Sequence, residues 1–177
     1  MLRTSAIGIG EPVATRAPAL RALLPGDWPA AARIYWDGIR SGLATFETEV
    51  PTWDDWDADH LAEPRLAATV WDDVVGWAAL SPVSSRRCYR GVVEDSVYVA
   101  DGQRGFGIGR LLLDALVRRA ETAGIWTVQA SIFPENRASV ALHLRCGFRI
   151  VGARERIGRR DGLWRDTLLL ERRANLV

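Results

Sequence analysis

Lysine is absent from this 177-residue sequence, and cysteine occurs only twice, at Cys88 and Cys146. Together with His60 and His143 the two cysteines offer four ligands for a metal ion. No C-x-x-C or H-x-x-x-H spacing joins them, however, so the sequence predicts no metal site. Two free thiols, far apart in the chain, are what we expect of a protein in the reducing cytoplasm.

Long apolar runs and a strong charge of either sign are also missing. No apolar segment approaches the roughly 20 residues of a membrane-spanning helix, so we predict no membrane partner. A formal net charge of +1 argues against a nucleic-acid partner bound by bulk electrostatics. Residues 1–17 lack periodicity and the apolar centre of a secretory signal. We therefore predict a flexible leader there, followed by a single domain over residues 18–177.

The apolar pattern predicts an α/β protein with a mixed central sheet of about seven strands and helices on both faces. Helices are expected to begin near Asp27, Thr52, Gly107 and Asn136. In the first of them Tyr35, Trp36 and Ile39 recur at helical spacing and predict the buried face. The strands are expected at residues 19–24, 65–71, 74–80, 91–99, 127–133, 148–157 and 164–171.

One segment, Glu94–Gly109 (EDSVYVADGQRGFGIG), is the most informative part of the chain. Its β-branched centre, residues 97–99, predicts a strand, and a polar turn leads into the basic glycine loop RGFGIG at 104–109. A helix begins directly after the loop. Glycines let backbone N–H groups approach a phosphate closely, and a helix N-terminus adds partial positive charge. The segment therefore predicts a site for a phosphorylated cofactor.

Two well-known phosphate motifs are excluded. The dinucleotide fingerprint G-x-G-x-x-G fails because neither Gly105 nor Gly107 has a glycine at the sixth position. A P-loop needs a lysine, and the chain has none. What remains is R-x-x-G-x-G, formed by Arg104, Gly107 and Gly109. On its own this hexapeptide is also compatible with a plain glycine-rich turn.

Glu94 is the candidate general base. In a regular strand Glu94, Ser96 and Tyr98 share one face, and Asp95 points to the other. A carboxylate in a valine-rich strand is unusual, because burial is costly unless the charge is paired. The alternative is a residue at the rim of the sheet or an ion pair with an arginine such as Arg86.

His143 is the candidate general acid. It follows Asn136 by seven residues, close to two helical turns, and an imidazole can donate a proton near neutral pH. The alternative is a core histidine bonded to a backbone carbonyl. A backbone N–H near Val99 would stabilise a developing oxyanion if the strand splays or bulges before the loop.

Phe46, Arg86, Arg87 and Tyr89 are candidates for an acceptor site. An arginine fork can hold a carboxylate in a bidentate manner. The alternative for the arginine pair is a solvated loop.

Five segments, in this order, resemble the phosphinothricin N-acetyltransferase type of the GNAT superfamily, which acts on small amino acids such as methionine sulfone or sulfoximine. The resemblance covers about residues 18–173. Each segment is moderately specific, and the five together are very specific. The segments are residues 42–56, 76–99, 103–109, 132–148 and 158–172.

This resemblance implies the GNAT acyl-CoA N-acyltransferase fold, acetyl-CoA as co-substrate, and a cytoplasmic homodimer. It implies direct attack of an amine in a ternary complex, with Glu94 as base, directly or through water, and His143 as the proton donor to the CoA thiolate. The implied acceptor contacts are Phe46, Arg86 and Tyr89. The implied cofactor contacts are Val97, Tyr98, Val99, Arg104, Gly105, Gly107, Gly109, Arg110, Asn136 and Ser139.

Two positions depart from the family pattern. Val50 stands where a proline is common, and Asp95 follows Glu94 where an uncharged residue is expected. A bulge at this point would bring the two carboxylates onto one face, which leaves the base assignment open. Two other functions stay open as well: the same chemistry on a polyamine, an antibiotic or a protein N-terminus, or a CoA-binding module without catalysis.

Overall fold

The computed structural model describes residues 17–174, so all but the last residue of the expected leader lies outside the described residues. The element order is the predicted one. The strands are β1 (Ala19–Ala22), β2 (Leu66–Val70), β3 (Asp73–Pro82), β4 (Val92–Val99), β5 (Thr127–Ile132), β6 (Arg149–Arg160) and β7 (Leu163–Arg173). The helices are α1 (Trp28–Arg40), α2 (Trp53–Asp59), α3 (Ile108–Thr122) and α4 (Arg137–Arg145).

The seven strands form one mixed sheet in the order β1-β2-β3-β4-β5-β7-β6. All neighbouring strands are antiparallel except β4 and β5, which are parallel. The β4–β5 ladder is short and ends where Glu94 pairs with Gln129, whereas β4 stays paired with β3 as far as Val99. Beyond Glu94 the two parallel strands therefore splay apart, and one edge of β4 opens.

Local sequence signals explain where the helices begin and end. Thr52 and Asn136 cap α2 and α4, because their side chains accept hydrogen bonds from the backbone N–H groups of Asp55 and Ser139. Asp27 precedes α1 as predicted but does not cap it. Its carboxylate instead accepts from the Leu24 N–H and the Arg21 guanidinium.

Two hydrophobic cores lie on opposite faces of the sheet, which we call the α3 face and the α1 face. On the α3 face, helix α3 buries leucines such as Leu112 and Leu116 against Leu80 and Val93. On the α1 face, Ile34 and Ile39 pack with Ala67, Trp77 and Ala79. Side chains of β3 enter both cores, because successive side chains along a strand point to opposite faces of the sheet.

The cover of the α1 face is incomplete. The core beneath α1 and α2 draws residues from β2, β3 and β4, and none from β5, β6 or β7. At this part of the sheet the loop 41–47 contacts the β6–β7 hairpin, since Arg160 and Arg165 donate to the carbonyls of Thr45 and Gly42. None of the helices between residues 17 and 174 is long and apolar enough to cross a membrane.

Candidate active site

The splay between β4 and β5 opens into a cleft of about 890 Å³. Most of the residues singled out from the sequence line this cleft, although they come from four separate segments. They are Phe46, Glu94, Val97, Tyr98, Val99, Arg104, Gly105, Gly107, Gly109, Arg110, Asn136, Ser139 and His143. Arg86 and Tyr89 do not line it.

One end of the cleft combines a glycine loop with a helix N-terminus. Gly107 directly precedes α3, has φ +81° and provides no side-chain cap, so the first N–H groups of the helix have no side-chain acceptor. Gly105 also has a left-handed φ, +86°. These two positions favour glycine because other residues rarely adopt that backbone conformation.

Four arginines line the cleft. Arg104 donates from Nε to the Val99 carbonyl at 3.2 Å and pairs with Asp101 at 2.8 Å. Arg110 on α3 lines the wall, as do Arg137 and Arg145 near the two ends of α4. Arg137 and Arg145 were not predicted from the sequence as cleft residues. Their spacing of eight residues, just over two helical turns, is the signal that would have put them on one side of α4.

At the open edge of β4 the backbone faces the cleft, whereas the Tyr98 ring packs into the core of the α1 face. That ring stacks on Trp77 with centroids 4.7 Å apart and meets Tyr35 edge-on at 4.8 Å. Burial raises the pKa of Tyr98 well above its ordinary value. Gly38 permits this packing, because a Cβ there would lie 2.8 Å from the Tyr98 ring. Residues 97–99 therefore present to the cleft a strand edge with which no other strand pairs, and on which the Val99 carbonyl accepts from Arg104.

Glu94 and Asp95 point to opposite faces of the sheet. The β3–β4 ladder runs from Val93 to Val99 without a register shift, so no bulge interrupts the alternation of side chains. Glu94 lies on the α1 face, lines the cleft, and forms no ion pair with any residue between 17 and 174. The alternative ion pair with Arg86 is therefore not formed.

Asp95 reaches the α3 face and meets His143. The Nε2 atom of His143 lies 3.0 Å from Asp95 Oδ2, and its Nδ1 lies 2.8 Å from the Ser139 carbonyl oxygen. The two side chains are only 4% and 2% exposed. Both ring nitrogens face acceptors, so the doubly protonated ring satisfies this arrangement.

The charge state of His143 follows from these contacts. Burial disfavours the charged ring, but the negative charge of Asp95 and the hydrogen bonds from Asp95 and Ser139 outweigh burial and raise the pKa of His143. The backbone contact that the alternative interpretation expects is present, and His143 also lines the cleft. In this arrangement both N–H groups are engaged, so donating a proton requires one of the hydrogen bonds to break.

Phe46 belongs to a loop that the β6–β7 hairpin holds over the cleft. The Phe46 ring packs edge-on against Phe133 with centroids 4.8 Å apart, beside Gly158, where a Cβ would lie 2.7 Å away. The Arg160 guanidinium donates to the carbonyls of Ile39 and Thr45. The sequence showed the hairpin turn but not this contact, which joins segments 115 residues apart.

Arg86 and Tyr89 lie on the loop before β4, around a short helical turn at Arg87–Tyr89. The Arg86 guanidinium sits 5.7 Å from the centre of the exposed Tyr89 ring. Their assignment to the acceptor site stays a prediction. Across residues 17–174 no three His, Cys, Asp or Glu side chains gather in a way that would hold a metal ion.

Several known proteins are similar to this chain in sequence and in fold. Residues 28–148 match the model of the Acetyltransferase (GNAT) family. The chain is 35% identical to phosphinothricin N-acetyltransferase of Alcaligenes faecalis over 94% of its length and 88% of that protein. It is also 35% identical to the L-methionine sulfoximine/L-methionine sulfone acetyltransferase of Pseudomonas aeruginosa, over 82% of this chain and 88% of that one.

Among solved structures, the fold is similar to a GNAT superfamily phosphinothricin acetyltransferase from Sinorhizobium meliloti in complex with AcCoA. The TM-score is 0.80 at 30% identity, and 88% of each chain is covered.

Proposed function

Because the chain belongs to the GNAT family and is an acetyltransferase, we propose that it acetylates the α-amino group of a small amino acid of the phosphinothricin, methionine sulfone or methionine sulfoximine type. The donor is acetyl-CoA. The observation that carries the proposal is the cleft itself: an open β4 edge leads from the uncapped start of α3 to the Glu94 carboxylate.

The residues present fit the co-substrate. The edge of β4 at Val97, Tyr98 and Val99, which has no partner strand on the side of the cleft, suits the amides of the pantetheine arm. The glycine loop, with Arg104 and Arg110, suits the pyrophosphate, because N–H groups and guanidinium groups converge there. Asn136 and Ser139 would contact the cofactor at the start of α4. When bound, acetyl-CoA supplies an activated acetyl thioester.

Glu94 is proposed to take the proton of the attacking ammonium group, directly or through one water. A backbone N–H near Val99 would stabilise the charge that develops on the carbonyl oxygen. His143 is proposed as the proton donor to the leaving thiolate, a step in which its hydrogen bond to Asp95 or Ser139 must loosen. Neither cysteine lines the cleft, which supports direct attack in a ternary complex over a covalent acetyl-cysteine.

The names of the relatives support the acceptor class, and the proposed contact of Phe46 with the acceptor is supported by its place in the wall of the cleft. Arg86 and Tyr89 stay proposals from the sequence, since they lie outside the cleft. We keep the single domain at residues 18–177 and the cytoplasm as proposals too, the latter supported by the free thiols of Cys88 and Cys146 and by the use of acetyl-CoA.

A homodimer is also proposed. Its support is a group of exposed apolar side chains on the β6–β7 hairpin, the kind of surface that often marks a protein interface. These residues are Ile150, Val151, Ile157, Leu163 and Trp164.

The proposed function is tested by measuring acetyl-CoA turnover, as free-thiol release, against a panel of amines. The panel contains methionine sulfone, methionine sulfoximine, phosphinothricin, common amino acids, a polyamine and an aminoglycoside. We expect release with the first three. Release only with another amine would keep the chemistry and overturn the acceptor class. No thiol release with any amine of the panel, although acetyl-CoA still binds, would contradict the proposal and favour a CoA-binding module without catalysis.

The glycine loop gives a prediction about cofactor binding. Gly107→Val should raise the Kd for acetyl-CoA by about 100-fold or more, because a side chain blocks the approach of a phosphate to the helix N-terminus. The Kd is measured by calorimetry, and the thermal midpoint monitors folding.

Two variants serve as controls for this prediction. Gly102→Ala lies in the same loop region, in open space and without a left-handed φ, and should bind normally. Gly107→Asn tolerates the left-handed backbone better than valine but still carries a side chain. Normal binding by Gly107→Asn would show that strain, and not a blocked approach, explains the valine variant.

A further inference from the structure

A guanidinium group without an acidic partner lies beside the cleft. Arg154, on β6, is half-buried and donates to two hydroxyls, from Nη2 to Ser131 Oγ and from Nε to Thr167 Oγ1 at 3.2 Å. It takes part in none of the ion pairs within residues 17–174. The other arginines of that range that are not exposed each pair with a carboxylate: Arg21, Arg65, Arg160, Arg165 and Arg172.

This isolation has an energetic consequence. Hydroxyl groups solvate a guanidinium but do not neutralise it, and a charge withdrawn from water without a counter-ion is costly. A guanidinium has five N–H donors, and the contacts of Arg154 leave Nη1 without a protein acceptor among the described residues and accessible to a ligand or to water. The planar fork matches a carboxylate, which would supply both the missing charge and the missing acceptors.

The position of Arg154 places that charge on the same face of the sheet as Glu94. On β5, Val128, Ala130 and Ile132 belong to the α3 core, so Ser131 must point to the α1 face. Arg154 contacts Ser131 and therefore lies on the α1 face as well. Ser131 itself forms part of the wall of the cleft.

The face between these two charges is open. Glu94 is in register with Gln129, which lies two residues before Ser131 on β5 and shares its face of the sheet. The core beneath α1 and α2 contains no residue from β5 or β7. Three strand spacings, about 14 Å, separate β4 from β6, but the Arg154 side chain reaches back across β7 to the hydroxyl of Ser131 on β5, the strand next to β4. An α-amino acid, with its ammonium and carboxylate groups on one carbon, fits between them.

We propose that Arg154 binds the α-carboxylate of the acceptor, and so selects amines that carry a carboxylate. The proposal rests on the proposed function and adds to it. Glu94 receives the ammonium end of the acceptor, and Arg154 holds the other end, which aligns the nitrogen with the open edge of β4. Arg154 would contact the acceptor from β6, on the other side of the cleft from the β4 strand that the arginine pair of the sequence analysis precedes.

A matched pair of acceptors tests this role. Methionine sulfone and its decarboxylated counterpart, 3-(methylsulfonyl)propylamine, differ only in the carboxylate. For Arg154→Ala we expect the KM for methionine sulfone to rise about 10- to 100-fold, with the KM for acetyl-CoA unchanged. The kinetic constants for the decarboxylated amine should stay within about twofold, so the preference of the enzyme for the amino acid collapses.

Two further variants separate binding from structure. Arg154→Lys keeps the charge but loses the fork, and should give an intermediate KM. Arg159→Ala removes an exposed arginine of the same hairpin, which stacks on Trp164, and should leave both acceptors unaffected. Thermal midpoints of all variants show whether the hairpin is intact.

The outcomes are distinct. Equal losses for the two acceptors, or no loss for either in Arg154→Ala, would overturn the role of Arg154 while leaving the proposed function in place. A wild-type enzyme inactive on every amine would overturn the proposed function and this inference with it.

Discussion

Glu94→Gln is expected to lower kcat by about 10²- to 10⁴-fold, the usual contribution of a general base. The change keeps the shape of the side chain and removes its ability to accept a proton. Glu94 lies away from the glycine loop, so the Kd for acetyl-CoA should stay within about twofold of wild type. The measurement is steady-state turnover with methionine sulfone, beside calorimetric titration of acetyl-CoA.

A second carboxylate of the same cleft provides the control. Glu47 lines the wall on the loop over the cleft, and Glu47→Gln should retain most of the activity. The defect of Glu94→Gln should also narrow as the pH rises above the pKa of the acceptor amine, because less of the amine then needs a base. An unchanged kcat in Glu94→Gln, or equal losses in both variants, would contradict the assignment.

The Asp95–His143 pair gives the second large effect, this time on stability. Asp95→Ala should lower the free energy of unfolding by about 3–5 kcal/mol, since it leaves a buried imidazolium without its counter-charge. Asp95→Asn keeps an acceptor for the Nε2–H and should cost less. In a double-mutant cycle with His143→Ala, the two losses should not add, because both remove the same interaction.

The pH dependence of this stabilisation has a definite sign. The pKa of His143 is raised in the folded protein, because the contacts with Asp95 and Ser139 outweigh the burial that opposes charge. The contribution is therefore complete below the ordinary value of 6.5 and is lost as the pH rises through the raised pKa. Urea unfolding on both sides of that pKa should show the difference between wild type and Asp95→Asn shrinking as pH rises.

His60→Gln is the control for this titration. Burial lowers the pKa of His60, so its effect on stability has the opposite slope with pH. A difference between wild type and Asp95→Asn that stays constant or grows with pH would contradict a charged His143.

Local patterns in the sequence were enough to predict much of the fold and most of the cleft. Strict alternation along β4 separated Glu94 from Asp95, and the glycine loop marked the start of α3. Helical spacing was less exact for α1. Tyr35 and Ile39 are buried, but Trp36, which was expected on the same face, is 44% exposed at its edge. One position along a helix turns a side chain by about 100°, which is enough to leave the core.

Contacts between distant segments were beyond the reach of such patterns. The pairing of Asp95 with His143 depends on how α4 is placed on the α3 face of the sheet, and neither residue carries a local signal of the other. The same holds for Arg160, which holds the loop over the cleft, and for Arg154, whose partners lie on two other strands. Arginine is frequent in this chain, so residue type alone does not separate the arginines that face the cleft from those that face solvent.

The central claim is that Glu94 and the open β4 edge bring an acceptor amine directly onto the acetyl group. The most direct measurement is a quenched single turnover with isotopically labelled acetyl-CoA and methionine sulfone, followed by mass spectrometry of the small molecules and of the intact protein. We predict that the label appears on the α-amino group of methionine sulfone as CoA is released, with the mass of the protein unchanged at every time point. A labelled protein intermediate, or thiol release without N-acetylated acceptor, would contradict the account.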